Sequence, residues 1–397
     1  RPEPNIAVMS TEPPGPSGEF VFGNSRQYAK DPFEFLTACA EAYGDVVRFD
    51  LGPLETYMLT DPEEIERVLV ADNAKYRKPD FQDDALGTLL GEGLLLSEGE
   101  TWRKQRQLAN PAFNMSRISG LAGSMAGRTE EMLDSWGDGE TRNVEVEMAR
   151  LTVKIIVEAM LGVELDDETV RTVQENLEPL GARFEPDPLR FVIPDWAPTR
   201  ENRDYAAAIE TMEGVVDDIV ARRRGTEGDA DDGPMDFLSL LLRAQNEGRQ
   251  TDRQIRDEMM TMLLAGHDTT ALTLTYTWYL LSQHPEAERR VHEEIDAVCG
   301  GDTPTMADVR EFEYVEWVLQ EAMRLYPPVY VMFREPQVDV KLGGYRIPEG
   351  SAVMLPQWVV HRSERFYDDP ETFDPERWRP ERRSSRPRFS YFPFGGR

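Results

Sequence analysis

Apolar positions fall at helical spacing along most of this chain, and at strand spacing only near its two ends. Asp31-Pro32 supplies an N-cap followed by an N1 proline and opens a helix that runs through Ala42 to a stop at Gly44. Val46–Asp50 and Tyr57–Thr60 alternate as a hairpin around Gly52-Pro53. Asp61-Pro62 repeats the helix-opening device, with Ile65, Val68 and Leu69 at helical spacing behind it. From Glu100 to Gln283 the pattern predicts helices over 100–109, 117–135, 145–161, 168–182, 202–224, 235–246 and 251–283, with Gly225–Gly233 as an acidic, glycine-rich exposed loop. Helices over 285–298 and 314–326 follow. After Pro327-Pro328 come short strands, Val338–Leu342, Tyr345–Ile347 and Ala352–Leu355, and then a stretch over 362–397 dense in Pro, Arg and aromatics. The expected fold class is mainly α with a small β portion drawn from both ends, which therefore fold together. Residues 1–30, rich in Pro, Gly and Ser, read as an extended lead-in, and 31–397 as a single domain.

Composition narrows the function classes. The 397 residues are 40% apolar and 30% charged, which excludes wholesale disorder. No stretch approaches the ~20 uninterrupted apolar residues that a membrane span needs. The net charge of −30 argues against nucleic acid or an anionic membrane as an unaided partner. Lysine is scarce: Lys30, Lys75, Lys78, Lys104, Lys154 and Lys341 are the whole set. A dense carboxylate surface with few lysines points to a salt-adapted cytoplasm. Cys39 and Cys299 cannot build a disulfide framework, and no CxxC pair points to zinc. The start, Arg1-Pro2-Glu3-Pro4, lacks the apolar core of a signal peptide, and Met9-Ser10-Thr11-Glu12 reads like a natural beginning.

Candidate chemistry lies in the long helix 251–283. Ala265-Gly266-His267-Asp268-Thr269-Thr270 places Gly, Asp and two Thr in mid-helix between the apolar runs Met259–Leu264 and Leu272–Leu281. Gly there costs about 1 kcal/mol relative to Ala. A polar cluster so flanked is expected to be buried, and buried polar groups need partners or a function. Glu321 and Arg324 share one helix face at i,i+3 spacing. Arg377 stands in Pro375-Glu376-Arg377-Trp378, Phe394 in Phe392-Pro393-Phe394-Gly395-Gly396, and Trp102 and Arg106 are i,i+4 neighbours in a basic helical turn.

In this order and at this spacing the set resembles the cytochrome P450 monooxygenases of the soluble prokaryotic type, from about Pro13 to Phe394, and with the salt-adapted composition it resembles a haloarchaeal member. The resemblance implies the P450 fold and a haem b cofactor. It implies Asp268 and Thr269 as the oxygen-activating pair, Asp268 relaying protons and Thr269 hydrogen-bonding at the oxygen position. Ala265 and Gly266 would leave room for oxygen. Trp102, Arg106 and Arg334 would hold the haem propionates, and Phe394 would open the haem-ligand loop. Glu321, Arg324 and Arg377 match the structural triad. Leu94–Leu96, Phe191–Ile193, Met262-Leu263 and Val329–Phe333 would line an apolar substrate pocket. O2 is the expected co-substrate and a separate ferredoxin-type protein the electron donor, docking on the basic segment Arg377, Arg379, Arg382, Arg383, Arg386, Arg388 and Arg397. A cytoplasmic location is expected.

One departure matters. The family's axial Cys would lie four residues past Arg397, and Arg397 itself stands where the motif has Gly. Neither Cys39 nor Cys299 matches the ligand position, so the sequence reads as truncated before the ligand. Two other readings fit the same residues: a haem enzyme that uses or rearranges peroxide, and a non-catalytic binder of apolar ligands on the same fold.

Overall fold

The computed structural model describes residues 12–181, 183, 197–226 and 236–396. The lead-in is extended only in part. Its last residues, Ser25–Lys30, form helix α1, behind an isolated bridge between Glu19 and Gly23. Helix α2 (Pro32–Tyr43) begins where Asp31 accepts the Glu34 N–H at 2.8 Å. Strands β1 (Val46–Leu51) and β2 (Leu54–Leu59) form the predicted hairpin. Helix α3 (Pro62–Glu66) is capped by Asp61 and runs on as one wide turn over Arg67–Ala71.

Strand β3 (Tyr76–Arg77) and helix α4 (Asp80–Leu90) were not legible from the pattern. Pro79, at the N-cap of α4, offers no capping side chain. The helical body comprises α5 (Gly99–Ala109), α6 (Met115–Asp134), α7 (Val144–Leu161), α8 (Asp167–Gly181), α9 (Arg200–Thr226), α10 (Phe237–Asn246) and α11 (Asp252–Gln283). A reciprocal box between Thr251 and Gln254 starts α11, which runs 32 residues without a break. Then come α12 (Pro285–Cys299), α13 (Met306–Val309), α14 (Tyr314–Leu325), β4 (Met332–Pro336), β5 (Val340–Leu342), β6 (Tyr345–Ile347), β7 (Ala352–Leu355), α15 (Gln357–Val360) and α16 (Pro380–Arg383).

The two ends of the chain meet in one sheet of order β1-β2-β7-β4-β3, where β2 and β7 run parallel and β4 and β7 antiparallel. β5 and β6 form a separate hairpin. One apolar cluster joins α4, α5, α7, α8, α9, α10 and the first half of α11, and includes Val153, Met212, Phe237 and Met259. Two smaller clusters clothe the sheet, and a fourth joins the end of α11 to α12 and α14. The long helix is thus packed at both ends and along α7. Among the described residues no helix is long and apolar enough to cross a membrane.

Candidate active site

The mid-helix cluster is not buried as a block. His267 is enclosed, with its Nδ1 2.9 Å from the Leu263 carbonyl, and burial lowers its pKa, so the ring is neutral. Ala265, Asp268 and Thr270 are exposed, and Gly266 and Thr269 are half-buried. A stripe of α11 halfway along its length therefore opens, while its other faces carry core residues such as Leu263 and Ala271. Thr269 donates to the Ala265 carbonyl at 2.9 Å, and Thr270, Thr273, Thr275 and Thr277 repeat the same i−4 bond. These bonds satisfy the hydroxyl hydrogens and so remove the local cost expected for threonines in mid-helix.

Gly266 packs against α7. A Cβ there would meet the Ile156 side chain at 2.7 Å, so its bare side lets α7 approach α11 closely. On the open stripe stands the small, exposed Ala265.

Glu321, Arg324 and Arg377 converge in the interior, with relative exposures of 0%, 0% and 2%. Arg324 donates two bonds to Glu321, at 2.9 and 2.7 Å. Arg377 adds one to Glu321 at 3.2 Å, and the Trp378 indole another at 3.0 Å. The guanidinium groups use their remaining hydrogens on carbonyls of His361, Asp368, Asp369 and Thr372. Two cations and one carboxylate can share the interior because nearly every donor has an acceptor.

The sequence singled out no role for His361, and the structure supplies one. It is fully buried, and its Nε2 accepts the Phe392 N–H at 3.0 Å. Gln357 donates to the Phe392 carbonyl at 3.3 Å. Residues on and just after α15 therefore hold both backbone polar groups of Phe392, in the segment that leads to Phe394. Burial first, then Arg324 and Arg362, push the His361 pKa down to about 3, so its acceptor nitrogen stays unprotonated. A buried polar residue in a short helical turn leaves no periodic signal, which is why the pattern missed it. Phe394 is 81% exposed. Gly395 donates its N–H to the Phe392 carbonyl at 3.0 Å, closing the turn.

Three further side chains remain open to an anion. Arg334 on β4 is half-buried and, among the described residues, bonds only the neighbouring Phe333 carbonyl, at 2.7 Å. Burial lowers its pKa, and the charge of Glu98 at the N-cap of α5 partly offsets this. Arg106 on α5 is half-buried; among the described residues neither it nor Arg334 forms an ion pair. Trp102, one turn before Arg106, is 40% exposed. Of the expected pocket segments, Phe191–Ile193 lies outside the described residues, Leu95 and Val329 are exposed, and Leu96 and Leu263 are buried.

The Cytochrome P450 family profile matches residues 13–396. The chain belongs to the cytochrome P450 family. It is 35% identical to cyclooctatin synthase of Streptomyces melanosporofaciens over 390 residues, covering 96% of this chain and 83% of that one. It is 32% identical to cyclooctat-9-en-7-ol 5-monooxygenase of the same organism over 379 residues, covering 94% and 81%. The crystal structure of the cytochrome P450DA heme domain superposes with a TM-score of 0.83 at 25% identity, covering 97% of this chain and 86% of that one. The protein is thus a P450 monooxygenase, an oxidoreductase of a family that binds haem and whose monooxygenases use an organic substrate, O2 and a redox partner.

This P450 has residues that fit such a group. Arg334 is a desolvated cation without a carboxylate, Arg106 a second cation without one, and Trp102 presents an indole donor beside it. Unpaired guanidinium groups are costly to bury and are satisfied by carboxylates such as propionates. The open, small-residue stripe at Ala265 leaves a surface for a flat apolar ring. Cys39 is not placed as a ligand, since it is packed among Leu36, Val47 and Phe49, and burial pushes its thiol up to about 11. Cys299 ends α12.

The basic segment near the chain end is less free than its count of arginines implies. Arg379 pairs with Glu376, Arg382 with Asp374 at 2.9 Å, and Arg388 with Glu66 at 3.1 Å. Arg386 is half-buried and lies 4.9 Å from the ring centres of both Tyr367 and Trp378. Arg383 is exposed and has no ion pair among the described residues. Arg397 lies outside them.

Proposed function

We propose that this P450 inserts one atom of O2 into an apolar, cyclic terpenoid-like substrate, with haem b as the cofactor and a ferredoxin-type protein as the electron donor. When bound, haem with a thiolate ligand supplies the oxidising equivalent. The chain's own residues bind and orient. Trp102, Arg106 and Arg334 would hold the propionates. Glu321, Arg324 and Arg377, through His361 and Gln357, would fix the segment that carries the ligand, for which this reading requires a cysteine four positions past Arg397. Asp268, exposed on the open stripe, can exchange protons with water. Thr269 gives its own hydrogen to Ala265, so its oxygen lone pairs remain to accept one.

The substrate class rests on the apolar lining, with Leu95 and Val329 exposed, and on the terpene-oxidising bacterial relatives. The donor class rests on charge: in a molecule of net charge −30, Arg383 and Arg103 are exposed cations without ion pairs among the described residues. Abundant carboxylate and only six lysines support a salt-adapted, haloarchaeal-like source and a cytoplasmic setting.

The observation that carries the reading is Arg334, a partly buried cation that forms no ion pair among the described residues and feels only the charge of Glu98 in partial compensation. The test is haem content and the reduced carbon monoxide spectrum of the protein expressed from its whole gene. Wild type should give the thiolate-type spectrum, and Arg334→Gln should lose haem affinity about tenfold or more, as expected when a charge-assisted bond is lost. A normal haem content in Arg334→Gln combined with no thiolate spectrum in wild type would refute the assignment.

A further inference from the structure

Glu258 has no role in the site described above. It lies on α11 in register with Met262, Ala265 and Thr269, at i+4, i+7 and i+11, so it belongs to the same stripe two turns earlier. Unlike Ala265 it is closed off, with 1% exposure. Neither of its carboxyl oxygens makes a well-formed hydrogen bond, and the Leu94 N–H is the backbone donor that faces it. A buried carboxyl so weakly partnered is costly when charged and calls for an explanation.

The lid over it is the 91–97 segment that joins α4 to α5. Asp257 accepts the Glu92 N–H at 3.0 Å. Gly91 has φ +50, and a Cβ on it would meet the Asp257 carboxylate at 2.2 Å. A Cβ on Gly93 would meet Thr261 Oγ1 at 2.1 Å. The segment is therefore seated tightly on α11. From the other side Lys78 donates to the carbonyls of Ser97 at 2.8 Å and Leu94 at 3.3 Å. Leu94, Leu95 and Leu96 ride on this segment.

We propose that Glu258 is a positioning residue: its carboxyl, sealed between α11 and the 91–97 segment, lets that segment close over the substrate end of α11 while neutral and loosens it when ionised. The proposal rests on the reading of the Ala265–Thr269 stripe as the oxidation site.

The charged neighbours set the direction. Burial and the adjacent Asp257 favour the neutral form, while the Leu94 N–H and Lys78 favour the ionised form. Around Asp257 stand Arg253 and Arg256 on the same helix and Glu92 on the segment. Glu98 lies 4.0 Å from Lys78 and moderates its charge. The net result is a Glu258 pKa pushed up from 4.5 to about 7. Open to water, the group would return to its ordinary value. Between the two values the closed form holds one more proton than the open form. Opening therefore becomes about tenfold easier per pH unit across that interval, and is independent of pH above and below it.

The test is amide hydrogen exchange of residues 92–97 in the haem-loaded protein, corrected for the intrinsic rate, together with kcat and KM for a terpene substrate. In wild type, protection should fall by up to tenfold per unit between about pH 5 and 7 and then level off, with KM rising over the same interval and kcat nearly constant. In Glu258→Gln both profiles should be flat. Asp257→Asn, which keeps an acceptor for Glu92 but removes the negative neighbour, should bring the levelling-off to lower pH, and it serves if the Gln variant does not fold. An unchanged slope in Glu258→Gln, or an unmoved levelling-off in Asp257→Asn, would overturn the proposal. A protection slope without a KM slope would overturn the role over the substrate while leaving the oxidation site itself untouched.

Discussion

Thr269 and its neighbours show how single side chains divide the work. Its hydroxyl hydrogen is committed to the Ala265 carbonyl, so packing does not depend on what the oxygen accepts. Thr269→Ala should fold and bind haem as wild type does, while most reducing equivalents appear as hydrogen peroxide. Product formed per electron should fall about tenfold or more, the scale of a lost proton-transfer contribution. Thr269→Ser should retain most of the coupling; equal coupling in wild type and the Ala variant would remove Thr269 from the mechanism. Glu321→Ala acts on the interior instead. It strands Arg324 and Arg377, both nearly unexposed, and breaking a buried pair costs about 3–5 kcal/mol. Denaturant titration should show that loss, and wild-type stability would contradict it. His361→Phe should cost less, about 1–3 kcal/mol, because it leaves only the Phe392 N–H without a partner.

At the scale of elements, α11 is the organising piece, and its contact with α7 depends on Gly266. Gly266→Val should cost about 1–3 kcal/mol by overpacking against Ile156. Ile156→Ala should recover part of that cost in the double variant, and strict additivity in the thermodynamic cycle would argue against the contact. The helices that announce themselves in the sequence do so through caps: Asp31, Asp61 and Thr251 each accept from the first turn. Helix α4 lacks such a cap and was missed, and β3, two residues long, is too short for any alternation to register. The triad's residues were visible as residue types at a spacing, but not the burial that gives them meaning. Conversely, the cluster at 265–270 was expected to be buried because its flanks are apolar, yet a stripe of one helix can open while the next stripe packs. Glu258 gave no sign at all, since a Glu between Asp257 and Met259 reads as a solvated turn until the 91–97 segment is seen to cover it.

At the scale of the whole molecule, charge is the dominant property. With −30 to confine, self-repulsion opposes the compact state, and molar salt shortens the screening length to about 3 Å. The melting temperature should climb from dilute buffer to molar KCl; a flat or falling trend would contradict salt adaptation. The same field makes isolated cations conspicuous to an acidic donor. Reversing Arg103 and Arg383 to Glu should slow first-electron transfer from an acidic ferredoxin roughly three- to tenfold at low salt. The difference should fade at high salt, and rates equal to wild type at low salt would move the docking site elsewhere.

The measurement that bears most directly on the account follows isotopically heavy dioxygen into product. The haem-loaded protein is supplied with a reduced ferredoxin and a cyclic terpene alcohol. One heavy oxygen atom per product molecule, with the other recovered in water, is the predicted result. Product that carries no label, or that forms only when peroxide replaces dioxygen and the donor, would contradict it.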